Sequence, residues 1–399
     1  MSAAHGGYVV DVSDAVEPFL ARWAALRDAG AGASPFQSVA WLRAWYATLG
    51  ALPGRRPVLV GVRSAGVGAG AGADASPGTD VMLCALASRR HRGFRVVEFA
   101  DATVVDYNLP LVAPDWAGAA AGPEATAAAA ATLWRAIRQA LAAHDVLRIE
   151  KMAAGTLADA PPVANPLVLA LRTQVCEMFG NQFYAPGDWD AWRHSLDKRV
   201  RKELERCWRV FTRSPEARYE RITDPARARA VLEVLERLQA QRIGNLGYPY
   251  LLDRPAWRDV YRQALDGGVA DGSVVLTALH DGDRLAAALF GVANAHRFIA
   301  LRLATGGDAW KTCSPGRLLL ERTAHDLHAG GLHWFDFGIG EYAHKEVFKV
   351  STIALVDACE ALSWRGRPVV WAWALRRALK RNAGLVRAVR RLQGRHRAA

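Results

Sequence analysis

No apolar run in this sequence reaches the roughly 20 residues that a membrane-spanning helix needs. Residues 1–14 lack a charged segment followed by an apolar core, so no secretory leader is expected. Cysteine is sparse: five residues, odd in number, scattered, never in a CxxC pair. That excludes a disulfide framework and a zinc cluster, expects no metal, and suits a reduced cytoplasm. The Gly-rich stretch 64–79 has no lysine and does not join a strand to a helix, so it is a hairpin loop and not a phosphate loop. Acidic residues are missing altogether after Glu360. Of the formal net charge of +12, eleven positive charges lie at or beyond Arg365, which leaves the body of the chain near neutral.

What the sequence does contain is organised around residues 298–349. Residues 298–304 read as a strand, and a Gly-rich turn follows. Ser314-Pro315-Gly316 then opens a helical pattern carried by Leu319, Arg322, Thr323, Asp326 and Leu327. Gly330-Gly331 ends that helix, and residues 333–337 make a second strand. Ser314 suits an N-cap and Pro315 the first helical position. The amides from Gly316 onward then point at whatever anion approaches, or simply begin an ordinary capped helix. Both readings stand at this stage.

The remaining elements repeat that plan. A helix is expected over 34–50 with Trp41, Trp45 and Leu49 on one face, then strands at 57–62, 81–87 and 94–99. Asp106-Tyr107-Asn108 gathers carboxylate, phenol and amide at a strand break, either to bind an amine or hydroxyl or to form an Asx-type turn. An Ala-rich helix at 122–143 and a strand at 146–152 complete the first half. A Pro-rich linker follows at 153–187, with a short strand expected at 167–171. The helix at 196–211 sets Leu196, Val200, Leu204, Trp208 and Phe211 on one face. Lys198, Arg199, Arg201, Lys202 and Arg206 take the other, as a solvated face or an anion-facing one. Helices at 225–242 and 255–267 and a hairpin at 274–292 lead back to the strand at 298. Two copies of one unit imply an α/β (α+β) fold of two tandem domains with a cleft between them.

Three sets of residues carry a family resemblance: Phe335, Asp336, Phe337, Gly338, Gly340, Glu341, Lys345 and Phe348; Phe36-Gln37-Ser38 with Trp41 and Trp45; and the basic helix with Leu196, Lys198, Arg199, Arg201 and Lys202. In this order they resemble the CelD-like branch of the GNAT acyltransferase superfamily, related to the tandem-GNAT FemABX aminoacyltransferases. The resemblance spans about 34–364. It implies an N-terminal GNAT-like domain at 34–152, the linker at 153–187, a C-terminal acyltransferase domain at 188–364 and a basic helical tail at 365–399. One departure is His344, where the family often has tyrosine, which puts a phenol's role there in doubt.

The activity implied is transfer of an acyl group from acetyl-CoA or another acyl-CoA to a small amine or amino sugar, with a link to polysaccharide or cell-surface biosynthesis. The alternatives are an aminoacyl-tRNA-dependent FemABX-type transferase and a non-catalytic accessory protein of polysaccharide synthesis. Glu341 is the expected general base, with Tyr342 and His344 as proton donors, Lys345 on an anionic group and Asp336 orienting the acceptor. The cofactor's pantetheine would run along Arg302, Leu303 and Ala304, and its pyrophosphate would meet Ser314, Gly316 and Arg317. Asp106, Tyr107 and Arg302 would hold the substrate. Cys313, beside a helix start, offers either a packed thiol or, with His325 or His344, a nucleophile.

In the tail, Trp371, Leu375, Ala378, Leu385, Val389 and Leu392 fall on one helical face among arginines. Over 371–379 that face is expected to pack on the protein's own body. Beyond Gly384 the charge suits a polyanion, with peripheral contact at an anionic inner membrane as the consequence and nucleic acid disfavoured.

Overall fold

The structure, a computed structural model, describes residues 2–5, 7–65, 78–117, 122–155, 164–340 and 348–381. Its strands form one fourteen-stranded sheet. The first half supplies β1 (Ser2–His5), β2 (Tyr8–Ser13), β3 (Arg55–Ser64), β4 (Asp80–His91), β5 (Phe94–Phe99), β6 (Leu111–Val112) and β7 (Val146–Ala153). After β8 (Thr173–Tyr184), the second half supplies β9 (Ala217–Ile222), β10 (Val274–Asp281), β11 (Arg284–Ala293), β12 (Arg297–Thr305), β13 (Trp334–Ile339) and β14 (Ser351–Ala361). The order across the sheet is β1-β2-β3-β4-β5-β7-β14-β8-β13-β12-β11-β10-β9, with β6 on β4.

Two adjacent pairs are parallel, β5 with β7 and β12 with β13. Parallel neighbours need a crossover, and each pair has a helix in its connection: α3 (Pro123–Ala140) and α9 (Pro315–Ala329). These equivalent places mark the repeat, so the expected tandem architecture is present. The halves also trade strands. β8 leaves the first half and pairs with β13, while β14 leaves the second half and pairs with β7. β8 and β14 then pair with each other and close the sheet.

Alternation along the strands sends side chains to two faces. Leu276 and Ala278 of β10 enter a core shared by both halves, under α1 (Val16–Asp28), α2 (Val39–Ala47), α7 (Pro225–Asn245) and α8 (Pro255–Gly268). Val275 and Leu279 enter a core on the other face with α5 (Trp189–Ser195), α6 (Lys198–Phe211) and α9. The tryptophans expected in the core are there: Trp41 and Trp45 are buried, and Trp41 meets Tyr261 of α8 edge to face at 5.7 Å. This crossing is close because small residues line it. A Cβ on Gly268 would lie 3.2 Å from the Ala40 methyl.

Sequence expectation and structure part at 167–171, at β8 and in the tail helix, and β1, β2, α1 and β9 carry no expectation from the sequence. The segment 167–171 is not a strand but lies mostly in α4 (Pro166–Ala170), because the Asn165 side chain caps the Leu167 amide and Pro166 takes the first turn. β8 follows it; its polar Asn181 and Gln182 hide an irregular strand pattern. In α10 (Arg367–Arg381), the half-buried residues are Val369, Val370, Trp373, Ala374 and Arg377, packed on β14 and β7. Trp371, Leu375 and Ala378 point outward instead of into the body. The reason is Arg377, whose guanidinium reaches Asp357 of β14 at 2.5 Å and so turns its own face of the helix inward.

Ala40→Leu should wedge α2 away from α8 and lower stability by about 1–3 kcal/mol, the usual effect of overpacking a tight contact. Urea unfolding of the full chain measures it. An unchanged midpoint would mean that the crossing has room to spare.

Candidate acyl-transfer site

β12 and β13 run side by side only from Arg297 and Trp334 to Ile299 and Asp336. Beyond that point they separate. β13 is turned away through Gly338 and Gly340, with φ of +74° and +116°, a region that favours glycine. β12 continues along β11 with a bulge: Ala300 faces Gly291 and Arg302 faces Phe290, leaving Leu301 as the extra residue. Among the described residues, no strand pairs with β12 on its β13 side from Ala300 onward. Leu303 and Ala304 lie on this open stretch. The Gln239 side chain donates to the Leu303 carbonyl at 3.3 Å.

At the fork sits a buried charge network. The Tyr107 hydroxyl donates to Asp336 Oδ1 at 2.9 Å, the Gly338 amide donates to the same oxygen at 2.7 Å, and Arg297 Nη1 lies 3.2 Å from Oδ2. Arg297 also donates to Gln182 Oε1 at 2.8 Å. Burial pushes the Asp336 carboxyl up to about 7, against the pull of Arg297 and Tyr107. Asp336 is 1% exposed and its oxygens are engaged. It holds the floor of the fork and, in this arrangement, offers no free oxygen to an acceptor. Tyr107 comes from the first half, so one hydroxyl ties the two halves together. It needs the space Gly180 leaves: a Cβ there would lie 2.1 Å from the phenolic oxygen.

Asp106 is different. It keeps part of its surface in solvent, accepts from the Ile339 amide at 3.3 Å, and lies against the turn at Gly338. A Cβ on Gly338 would sit 2.5 Å from Asp106 Oδ2 and 3.5 Å from the Ala300 carbonyl oxygen. A carboxylate from the first half thus stands where the strands of the second half part. Desolvation raises it to about 6, partly offset by Lys151. Solvent contact keeps that desolvation incomplete.

The loop bearing Asp106 is fixed from below. Lys151 Nζ binds Asp101 at 2.8 Å and the Val105 carbonyl, while the Lys151 amide donates to Asp357 at 2.8 Å. Asp101, not Asp106, makes the Asx-type turn, accepting from the Thr103 amide at 2.9 Å. Asn108 donates to Asp101 and to the Glu150 carbonyl, both at 2.9 Å, so its amide is structural.

Arg302 sits in a cage of polar and aromatic side chains. It meets Gln239 at 2.9 Å, Tyr250 at 3.2 Å and Glu236 at 3.5 Å, and lies 4.9 Å from the centre of the Tyr261 ring. At 5% exposure, its charge is met by Glu236.

On the other face, a groove of about 1200 Å³ runs between α6 and the first turn of α9, lined by Lys198, Arg199, Lys202, Arg206, Arg209 and Arg317. Asp197 and Glu203 are its acids. The basic face of α6 thus lines this groove in part. Arg206 ties α6 to the turn before α9, bonding Glu203 of its own helix at 2.7 Å and the Thr312 carbonyl at 2.9 Å. Gly316 packs under this end of α9; a Cβ there would meet Leu303 at 3.1 Å. Ser314 occupies the cap position in a left-handed conformation, φ +45°, and its hydroxyl makes no capping bond, because the tight turn Asp308–Cys313 delivers the chain there. Cys313 is 1% exposed, donates to the Trp310 carbonyl at 3.1 Å, and its thiol is pushed up by burial. His325 stacks on Trp189 at 5.3 Å. Together these contradict a thiolate nucleophile at Cys313.

Glu341, Tyr342, His344 and Lys345 lie outside the described residues. The residues on either side of them are firmly held. Asn181 donates to the carbonyls of Gly338 and Gly340 at 3.0 and 2.8 Å, and Phe348 stacks on Phe183 at 5.6 Å. Asn181, Arg297, Gln182 and Lys151 are the site-building residues that sequence reasoning missed. The one available signal was Arg297 at the head of an apolar strand.

The Asp336 carboxyl has a native value raised above the 3.8 of a free side chain. Its contribution to stability is therefore full below about pH 4 and is lost as pH rises through about 7. Arg297→Leu removes the one buried counter-charge. It should cost about 3–5 kcal/mol near pH 8 and clearly less at pH 5, where the carboxyl is protonated. Urea midpoints of wild type and variant at the two pH values measure this. A loss equal at both would show that Asp336 does not change protonation between these pH values.

Comparison with known proteins bears on the fold. Residues 198–346 match the family model described as an acetyltransferase (GNAT) domain. The fold resembles the crystal structure of FemX, 11% identical, with a TM-score of 0.56 over 88% of this chain and 97% of FemX. A conserved protein of unknown function from Bacteroides thetaiotaomicron is 13% identical with a TM-score of 0.49, over 89% of this chain and 100% of that one. A tandem GNAT protein from the clavulanic acid biosynthesis pathway is 11% identical with a TM-score of 0.43, over 89% of this chain and 99% of that one. No curated protein matches the chain. The chain is a mixed α/β protein with the fold seen in FemX, and residues 198–346 of its second half carry the acetyltransferase (GNAT) domain match.

Proposed function

We propose that this chain is an acyl-CoA-dependent N-acyltransferase acting on a small amine or amino sugar. The observation that carries this reading is the placing of Asp106 at the fork between β12 and β13. The open edge of β12 offers main-chain groups to an extended pantetheine. The basic groove at the start of α9 suits the phosphates of CoA as a cluster of cations. No step needs a metal. The resemblance to CelD-like proteins points to polysaccharide or cell-surface biosynthesis as the setting, by analogy of family. We divide the chain into a GNAT-like unit at 34–152, a linker at 153–187, an acyltransferase unit at 188–364 and a tail at 365–399.

In this mechanism the acceptor amine enters beside Asp106, which takes its proton as nitrogen attacks the thioester carbonyl. The C–N bond forms, the C–S bond breaks, and the thiolate recovers a proton from solvent or from Tyr342 or His344. A bulge leaves its extra residue out of the ladder, so the Leu301 main chain is available to polarise the carbonyl. Glu341, one residue past Gly340, is the second carboxylate for the base role, and Lys345 would meet an anionic group of the substrate.

The basic groove favours a second reading as well. A row of cations on one helix face also suits the phosphates of an aminoacyl-tRNA donor of the FemABX type. Calorimetry with acetyl-CoA, and assay of nucleic acid retained on purification, separate the two. Binding of neither donor would leave the accessory role.

With acetyl-CoA as donor, Asp106→Asn should lower turnover by about 10²–10⁴, the range for a lost general base, without changing acetyl-CoA affinity. The wild-type rate should climb with pH through about 6, where Asp106 becomes ionised, and level off above it. The variant should lose that limb. Release of free thiol measures both. If Glu341→Gln shows this pattern and Asp106→Asn does not, the base is Glu341. Lys198→Glu with Lys202→Glu should weaken acetyl-CoA binding by about tenfold, as for loss of phosphate-facing charge.

A further inference from the structure

Among the described residues nothing covers the outward face of α10. Trp371 is 70% exposed, Leu375 43% and Leu379 45%, at intervals of four along one stripe. Trp364, just before the helix, is 77% exposed. Large apolar side chains clustered on one surface call for a partner. The helix cannot roll to hide them, because Arg377 locks its opposite face to Asp357 and to the Val175 carbonyl at 2.7 Å.

We infer that this stripe is a membrane-surface contact that lays α10 along an anionic lipid bilayer. The inference is independent of the acyl-transfer reading. Charge decides the occupant. Arg365, Arg367 and Arg376 flank the stripe and are exposed. From Ala361 to the last residue there is no acid, while eleven cations follow from Arg365 onward. A second copy of this chain would bring the same cations against themselves. A nucleic acid would match the charge but leaves the aliphatic stripe without a role. An anionic interface satisfies both: apolar side chains enter the boundary of the acyl chains while arginines stay at the phosphates. The cationic surface also continues past the start of the helix. Gly366 packs on Asp145, and Arg95 lies 3.8 Å from that carboxylate. There Arg56, Arg90, Arg95 and His144 border a hollow of about 430 Å³ that fits a lipid phosphate. Among the described residues no helix is long and apolar enough to cross a membrane, so the contact is with the surface.

Co-sedimentation of the full chain with vesicles tests this. The protein should pellet with phosphatidylcholine vesicles containing phosphatidylglycerol, less so at high salt, and not with phosphatidylcholine alone. Trp371→Ser with Leu375→Ser should lower the vesicle-bound fraction about tenfold or more, from the lost apolar burial, with an unchanged circular dichroism spectrum and thermal midpoint. Acyl-chain-brominated lipids should quench tryptophan fluorescence. Trp364→Phe with Trp371→Phe should abolish that quenching while the protein still pellets. Equal pelleting of the Ser variant, or quenching that survives the Phe pair, would overturn the inference. So would a chain that ignores vesicles and instead binds duplex DNA or self-associates through this stripe.

Discussion

The structure depends on one buried carboxylate. Asp336 holds a hydroxyl from the first half, a guanidinium from the head of β12 and the amide that begins the turn out of β13. Each contact does a separate task. Tyr107 fixes the halves relative to each other, Arg297 compensates the charge, and Gly338 sets where β13 departs from β12. A buried charge is tolerated only when its partners are complete, so the fork between the strands is as rigid as this network. Asp106, next in the chain to Tyr107, inherits its position from that rigidity.

Rigid floor and open edge divide the labour of the second half. The β12 main chain, released from its neighbour, faces the fork. The charges nearby are mostly committed: Arg302 to Glu236, Lys151 to Asp101, Arg377 to Asp357. What stays less committed is Asp106 at the fork and the basic groove beyond α9. That contrast separates supporting ion pairs from groups available to a ligand.

Much of this was legible beforehand for a simple reason. Trp41, Trp45, the apolar stripe of α6 and the Ser-Pro-Gly start of α9 are local patterns, and local patterns survive in the fold. Asp106 and Tyr107 were found as a polar group at a strand break, yet their separate fates depend on Asp336, 229 positions from Tyr107. Ser314 kept its place but not its capping bond, because the preceding turn sets its backbone. Long-range pairing was invisible. Nothing in the linker announces that β8 leaves for the other half, and nothing in the tail's periodicity says which face Arg377 will pull inward. Periodicity names a stripe; it does not name what the stripe meets.

The exchange of β8 and β14 has a consequence for how the chain comes into being. β7 gets its second neighbour only from β14, near the far end of the sequence. During synthesis the first half therefore emerges with an unpaired edge, and that edge stays open until β14 has also left the ribosome. Pairings so distant in sequence form slowly, and open edges recruit other chains. The halves cannot mature one after the other, as independent domains do. They must wait for each other, and the newborn chain needs protection over that interval.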